Sequence, residues 1–181
     1  APTVWAWRAN RAKKFSKVFN ELLILFNFEK KYFIKYNLKT TFIGHPIFYI
    51  NKINNNKPNK PNKPNIAFLP GSRISEVDSL FPYFQIAYEY LFNNSINVDI
   101  FIPTLPHIKN RLEMLVKDWK LKVIIITDLN EIENFFYNSA YALVCSGTAS
   151  LEIAKRNIPQ LVIYKLNIIT EFIVKLFIKI I

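Results

Sequence analysis

Ile66-Ala67-Phe68-Leu69-Pro70-Gly71-Ser72-Arg73 is the stretch that decides the fold, because a short apolar run ends there in a glycine turn. A run of this length, followed by a segment of helical length, is typical of a buried strand that leads into a helix. The same order recurs: apolar runs at 98–102, 123–126, 141–144 and 160–164 alternate with longer segments at 75–92, 107–119, 131–138 and 148–156. This alternation predicts an α/β fold with a doubly wound parallel sheet.

One residue disturbs the first of these helical segments. Pro82 lies well inside it, and proline removes a backbone hydrogen bond and clashes with the preceding turn. We therefore predict a short helical turn from Ser75 and a restart or kink near Phe81.

The chain before residue 66 divides into two parts. The segment 51–65 is built from Asn, Lys and Pro, with Lys-Pro-Asn triplets that cannot form a core, and it predicts a linker or an expanded surface loop. Upstream of it, the pattern predicts a basic helix at 8–19, a strand at 22–26, a helix at 29–36 and a strand at 41–43. We interpret 1–50 as the tail of a second α/β domain and 66–181 as the main domain, with a cleft between two lobes.

Composition limits the classes of function. The chain carries 24 Lys and Arg against 13 Asp and Glu, a net charge of +11 that favours polyanionic partners. Nucleic acid is disfavoured, since most of the 16 Phe residues lie in core-like runs rather than between basic residues. The single cysteine, Cys145, excludes an internal disulfide and a cysteine zinc cluster, and cytosolic chemistry fits best. No spacing of residues suggests a metal site or a bound cofactor.

The first candidate binding turn follows the strand quoted above. Gly71 allows close approach of an anion to the backbone, Ser72 can cap the helix or hydrogen-bond, and Arg73 offers a planar fork suited to phosphate oxygens. The alternative interpretation is an ordinary strand-to-helix turn with a solvated arginine.

The second candidate turn lies at the start of the last predicted helix of the main domain. Ser146, Gly147 and Thr148 offer hydroxyl and backbone donors, and Glu152 lies one helical turn further on, where it could accept hydrogen bonds from a ribose diol. The alternative is a capped helix in which Glu152 neutralises an Arg or Lys. A helix N-terminus contributes only about 0.3–1 kcal/mol towards an anion, whereas micromolar affinity needs about 8 kcal/mol. The two turns would therefore have to act together.

Three other features have open interpretations. His45, between Gly44 and Pro46, could contact a ligand or could fix the connector by bonding to the backbone. The final segment 167–181 predicts a helix with one polar stripe, suited to burial between lobes or to a membrane interface. A cluster of basic residues near the start is either a solvated helix or a second membrane contact: Arg8, Arg11, Lys13, Lys14 and Lys17.

Taken in order, five elements resemble the lipid-A-disaccharide synthase family. They are Val4-Trp5-Ala6-Trp7-Arg8, Phe28-Glu29-Lys30, Phe42-Ile43-Gly44-His45-Pro46, the Gly71 turn with Glu76, and Ser146-Gly147-Thr148-Ala149 with Glu152. The Trp-Ala-Trp-Arg element is the most specific to the family, while the glycine turns are shared more widely among nucleotide-sugar transferases. The resemblance covers nearly the whole chain apart from the linker.

The resemblance implies a Rossmann-like donor domain of the two-lobed GT-B type and a place in lipid A biosynthesis. The implied reaction transfers diacylglucosamine from UDP-diacylglucosamine to diacylglucosamine 1-phosphate and releases UDP, on the cytoplasmic side of the inner membrane of a Gram-negative bacterium. By position, Arg73 would meet the diphosphate, Ser146 to Thr148 the phosphates and Glu152 the ribose. The family's catalytic base belongs to an amino-terminal lobe, so we assign no catalytic residue here.

The chain departs from the family in its linker, and it stops before the helices expected to close the fold. We therefore expect a fragment that binds UDP weakly without turnover. Two alternatives stay open at this point: another UDP-sugar transferase or epimerase, and a non-catalytic basic module that binds a membrane surface.

Overall fold

A computed structural model describes Val4 and residues 9–49 and 63–165, which form two compact units, one before residue 50 and one after residue 62. The predictions for Trp5, Trp7, Arg8, the linker segment 51–62 and the helix at 167–181 lie outside the described residues. In chain order the elements are α1 (Arg11–Phe15), β1 (Glu21–Ile24), α2 (Lys30–Ile34), β2 (Lys39–Phe42), β3 (Asn65–Leu69), α3 (Ile74–Asn93), β4 (Asp99–Pro103), α4 (Pro106–Val116), β5 (Val123–Ile126), α5 (Leu129–Tyr137), β6 (Ser139–Cys145), α6 (Thr148–Lys155) and β7 (Gln160–Ile163).

The first unit has two parallel strands, β1 and β2, with Glu21 opposite Lys39. Its two α-helices are shorter than predicted. Glu29 ends a short 3-10 helix, Asn27–Glu29, directly before α2. Its side chain is buried, and its Oε2 accepts hydrogen bonds from the backbone N–H groups of Leu25 and Phe26, both at 3.0 Å. The core of this unit comprises Val4, Ala12, Ile24, Phe33 and Leu38.

The second unit confirms the predicted parallel sheet. Five strands lie in the order β5-β4-β3-β6-β7, and every neighbouring pair is parallel. Successive residues of β3 point to opposite faces, so Phe68 packs under α3 and α4 while Ala67 and Leu69 pack against α5 and α6. Because helices cover both faces, the sheet is doubly wound, as predicted.

Strand β3 begins at Asn65, which the sequence assigned to the linker. The Asn65 side chain is buried, where its Oδ1 accepts from Ser139 Oγ at 2.5 Å and its Nδ2 donates to the Phe135 carbonyl at 3.4 Å. These bonds satisfy an amide that a core would otherwise exclude. Asn65 therefore belongs to the sheet and not to the linker.

The predicted restart near Pro82 is wrong, since α3 runs without a break from Ile74 to Asn93. Pro82 is exposed, so its ring lies on the solvent side of the helix. The opposite face is buried along the whole length of the helix, and this packing outweighs the lost backbone bond. Its buried residues are Val77, Leu80, Phe81, Phe84, Tyr88 and Leu91.

Candidate functional site

The strand order places the two predicted glycine turns side by side. β3 and β6 are hydrogen-bonded neighbours, with Leu69 opposite Val144, and each turn leaves the carboxyl end of its strand. Adjacent strands lie about 4.8 Å apart, so the two turns start from neighbouring points on one edge of the sheet. From β3 the chain proceeds outward to β4 and β5 in one direction, and β6 and β7 lie in the other. The edge between β3 and β6 is therefore the switch point at which open α/β sheets bind ligands.

The first turn is built around Gly71, which has φ of +136°. A Cβ at this position would lie 2.9 Å from Glu76 Cβ, so the turn excludes any side chain there. Glu76 reaches back over the turn: its Oε2 accepts from the Ser72 backbone N–H at 3.2 Å, and its Oε1 accepts from Arg73 Nη1 at 2.6 Å. A carboxylate thus occupies the donors that an external anion would use.

This geometry corrects the role predicted for Ser72 as a cap. The N-cap residue of α3 is Arg73, and Ser72 contributes its backbone N–H to the turn. The Arg73 side chain is 76% exposed, as the alternative interpretation expected, but it is paired with Glu76 rather than only solvated.

The second turn is open. Gly147 has φ of +146°, and nothing lies within 4 Å of where its Cβ would be. Ser146, Gly147 and Thr148 are exposed, and the N-cap residue of α6 is Gly147, which has no side chain to cap the helix. Ser150 Oγ donates to the Gly147 carbonyl at 2.7 Å. Backbone N–H groups at an uncapped helix start are suited to an anion.

Glu152 lies one turn further along α6, and its carboxylate is not neutralised. Within residues 4, 9–49 and 63–165, no group hydrogen-bonds or ion-pairs with it. Arg156, the arginine closest to it in sequence, instead forms a two-point ion pair with Glu133 of α5. The described residues therefore give no support to the interpretation in which Glu152 neutralises an Arg or Lys, and they leave its oxygens open to a ligand.

The pKa of Cys145, at the start of the second turn, depends on a charge beside the first turn. Burial raises the pKa of its thiol, and the negative charge of Glu76 raises that pKa further, although Glu76 belongs to the other turn. The thiol is partly buried at the end of β6. A raised pKa leaves little thiolate at neutral pH, which disfavours Cys145 as a nucleophile.

His45 belongs to the first unit, whereas both turns belong to the second. Its Nδ1 accepts from the Ile47 backbone N–H at 3.3 Å, at the start of a short 3-10 helix, Pro46–Phe48. This bond matches the interpretation in which the histidine fixes the connector. Gly44 precedes it with φ of +72°, and a Cβ there would meet the Tyr49 hydroxyl at 2.7 Å.

Sequence reasoning missed three residues that shape the site. An acidic residue in a first helical turn is favourable anyway, so the contacts of Glu76 could not be read from its position. Arg156 lies four residues after Glu152, a spacing that predicts an ion pair between the two. Arg156 instead pairs with Glu133, which is remote in sequence. In the described part of the chain, no group of three or more His, Cys, Asp or Glu could hold a metal ion, and no helix could span a membrane.

The chain is similar to one family of known proteins along its whole length. Residues 1–181 match the family model described as lipid-A-disaccharide synthetase. The chain is 34% identical to the lipid-A-disaccharide synthase of Gluconobacter oxydans (strain 621H), with coverage of 99% of this chain and 45% of that protein. It is 32% identical to the enzyme of the same name from Rhodospirillum centenum (strain ATCC 51521 / SW), with coverage of 99% and 47%. The chain thus spans about half the length of the curated relatives it matches.

One solved structure that resembles the chain is E. coli heptosyltransferase WaaC with ADP-2-deoxy-2-fluoro heptose. The TM-score is 0.49 and the sequence identity is 16%, with coverage of 64% of this chain and 36% of that chain.

Proposed function

Because the chain belongs to the lipid-A-disaccharide synthetase family, we propose that it carries the donor-binding half of the glycosyltransferase that forms the lipid A disaccharide. The reaction transfers 2,3-diacylglucosamine from UDP-2,3-diacylglucosamine to 2,3-diacylglucosamine 1-phosphate and releases UDP. In the whole enzyme, of the two-domain GT-B type, residues 1–50 would end the acceptor-side domain, 51–64 would link the domains, and the part from Asn65 to residue 181 would bind the donor.

The observation that carries this proposal is the pairing of β3 with β6, which brings the Gly71 and Gly147 turns to one edge of the sheet. Arg73 and the uncapped start of α6 would hold the diphosphate from two sides. Both would also stabilise the charge that develops on UDP as it departs, which is where electrostatic catalysis acts. Glu152 would accept hydrogen bonds from the ribose hydroxyls. The general base that deprotonates the acceptor hydroxyl would belong to the amino-terminal lobe.

Donor binding requires Glu76 to release the first turn. Its ion pair with Arg73 joins a guanidinium that is 76% exposed to a half-buried carboxylate, and ion pairs that reach solvent contribute about 0–1 kcal/mol. A hydrogen bond to a charged group contributes about 1.5–3 kcal/mol, and a diphosphate could form several across the two turns. The exchange of the carboxylate for a diphosphate is therefore favourable.

We also propose that the protein works on the anionic inner-membrane surface, where both lipid substrates would reside. Arg11, Lys13, Lys14 and Lys17, here called the basic cluster, are all exposed on and just after α1. Two apolar side chains follow at once: Val18 and Phe19 are 73% and 44% exposed. Exposed cations beside exposed apolar groups are suited to an interface of anionic headgroups.

Calorimetric titration of the chain with UDP tests the donor site. We expect Arg73→Ala and Glu152→Ala each to weaken UDP binding about tenfold, because each removes a charge-assisted hydrogen bond. Inorganic pyrophosphate separates the two roles, since Arg73→Ala should weaken its binding and Glu152→Ala should not.

Lys117→Ala and Asp118→Ala are matched controls. They remove an exposed cation and an exposed carboxylate just beyond the end of α4, at the opposite edge of the sheet from the two turns. Their UDP affinity should equal that of the unmodified chain. Unchanged affinity in both Arg73→Ala and Glu152→Ala would refute the donor site.

A further inference from the structure

Glu152 and Arg156 have the spacing and the order that favour an ion pair on a helix, yet they are not paired. A carboxylate four residues before an arginine is the better orientation for such a pair. The Arg156 guanidinium even reaches residue 152, because its Nη1 donates to the Glu152 backbone carbonyl at 2.8 Å. The Glu152 carboxylate nevertheless has no partner among the described residues.

Arg156 is held away from that carboxylate by α5. Its Nε donates to Glu133 Oε2 at 3.2 Å and its Nη2 donates to Glu133 Oε1, so the two groups meet in a fork. The guanidinium carbon also lies 4.7 Å from the ring centroid of Phe136. Only 15% of the Arg156 side chain is exposed, whereas Glu133 is 45% exposed. The arginine is thus held on three sides, and the exposed carboxylate of Glu133 is the charge that fixes its direction.

We propose that Glu133 is a positioning residue that keeps the Glu152 carboxylate free to bind the ribose. This inference rests on the proposed function, in which Glu152 contacts the ribose diol. If Glu133 lost its charge, Glu152, one turn before Arg156 on the same segment, would offer its carboxylate to the guanidinium. The guanidinium would then donate hydrogen bonds to the Glu152 carboxylate oxygens, which could no longer accept them from the ribose hydroxyls. The site would lose its preference for ligands that carry a ribose.

A purely structural role for the pair makes a different prediction. If Glu133 and Arg156 only fasten α5 to α6, loss of Glu133 would lower stability and weaken every ligand alike. Selective loss of ribose recognition would not follow. The two roles can therefore be separated by comparing ligands that differ only in the ribose.

The test is the ratio of affinities for UDP and for dideoxy-UDP, which lacks both ribose hydroxyls, measured calorimetrically on the full chain. In Glu133→Gln this ratio should fall about tenfold while inorganic pyrophosphate binds as before. The control is Glu131→Gln, which removes an exposed carboxylate from the same helix and should leave the ratio unchanged. In the double variant Glu133→Gln/Arg156→Gln the ratio should return to that of the unmodified chain, since no guanidinium remains to pair with Glu152.

A second measurement needs no ligand. Glu152→Gln should leave the stability of the unmodified chain unchanged, but it should destabilise the Glu133→Gln variant, where Glu152 has gained Arg156 as a partner. An equal effect in both backgrounds, or an unchanged UDP ratio in Glu133→Gln, would overturn the proposal. The proposal would also be overturned if Glu133→Gln lowered the affinities for UDP and for pyrophosphate by the same factor. If the unmodified chain does not distinguish UDP from dideoxy-UDP, the ribose role of Glu152 fails instead, and the stability comparison still shows whether Arg156 changes partner.

Discussion

At the scale of single residues, the first turn depends on two groups that fit each other. Gly71 leaves room for the Glu76 side chain, and Glu76 in turn covers the Ser72 amide and pairs with Arg73. The sequence shows all four residues but not this arrangement, because an acid near a helix start needs no partner to be favourable. The position of the Glu76 side chain over the turn is known only from the folded backbone.

The thiol of Cys145 gives a direct test of how close Glu76 lies to the second turn. Glu76→Gln should lower the Cys145 pKa towards its ordinary value, although burial, the larger cause, will keep that pKa raised. Because only the thiolate reacts, alkylation by iodoacetamide below the pKa should be faster in the variant. The chain has one cysteine, so the rate as a function of pH is unambiguous.

The control for this measurement is Asp118→Asn, which removes a carboxylate at the other edge of the sheet. Its alkylation profile should match that of the unmodified chain. Identical profiles for Glu76→Gln and the unmodified chain would mean that Glu76 does not approach the second turn.

At the scale of elements, α3 shows why a strong local signal can fail. Proline inside a helix costs about 3 kcal/mol, which is enough to break an isolated helix. Six buried side chains of α3, each contributing about 1.5–3 kcal/mol, exceed that cost. The sequence predicted the strands well because their apolar runs are buried by the same packing, whereas the cost of Pro82 could be judged only against the completed core.

Replacement of Pro82 by alanine should therefore stabilise the protein. The variant regains a backbone hydrogen bond on the exposed side of α3 without altering the core, so we expect the free energy of unfolding to rise by about 1–3 kcal/mol. Urea denaturation measures this change. Glu89→Ala, at another exposed position of the same helix, should stay within about 0.5 kcal/mol of the unmodified chain. A less stable Pro82→Ala would show that the proline is adapted to its place in α3.

At the scale of the whole molecule, the order of the strands decides whether there is a site. Alternating runs predict a parallel sheet, but they do not show that β3 and β6, which lie far apart in sequence, become neighbours. Only this pairing makes the turns that carry Arg73 and Glu152 neighbours at the carboxyl edge of the sheet. The sequence likewise did not show that Asn65 belongs to the sheet. A polar side chain is typical of a linker, and its partner Ser139 becomes a neighbour only in the folded chain.

The net charge of +11 is also a property of the whole chain, and its distribution allows a test of the membrane proposal. A lysine near an anionic surface contributes about 1 kcal/mol, so Lys13→Ala/Lys14→Ala/Lys17→Ala should weaken binding to phosphatidylglycerol vesicles about a hundredfold. Added salt should also weaken the binding of the unmodified chain to these vesicles. The matched control, Lys30→Ala/Lys31→Ala/Lys35→Ala, removes the same charge from exposed positions on and just after α2. Equal losses in the two triple variants, measured by vesicle sedimentation, would show that net charge rather than the basic cluster directs the protein to the membrane.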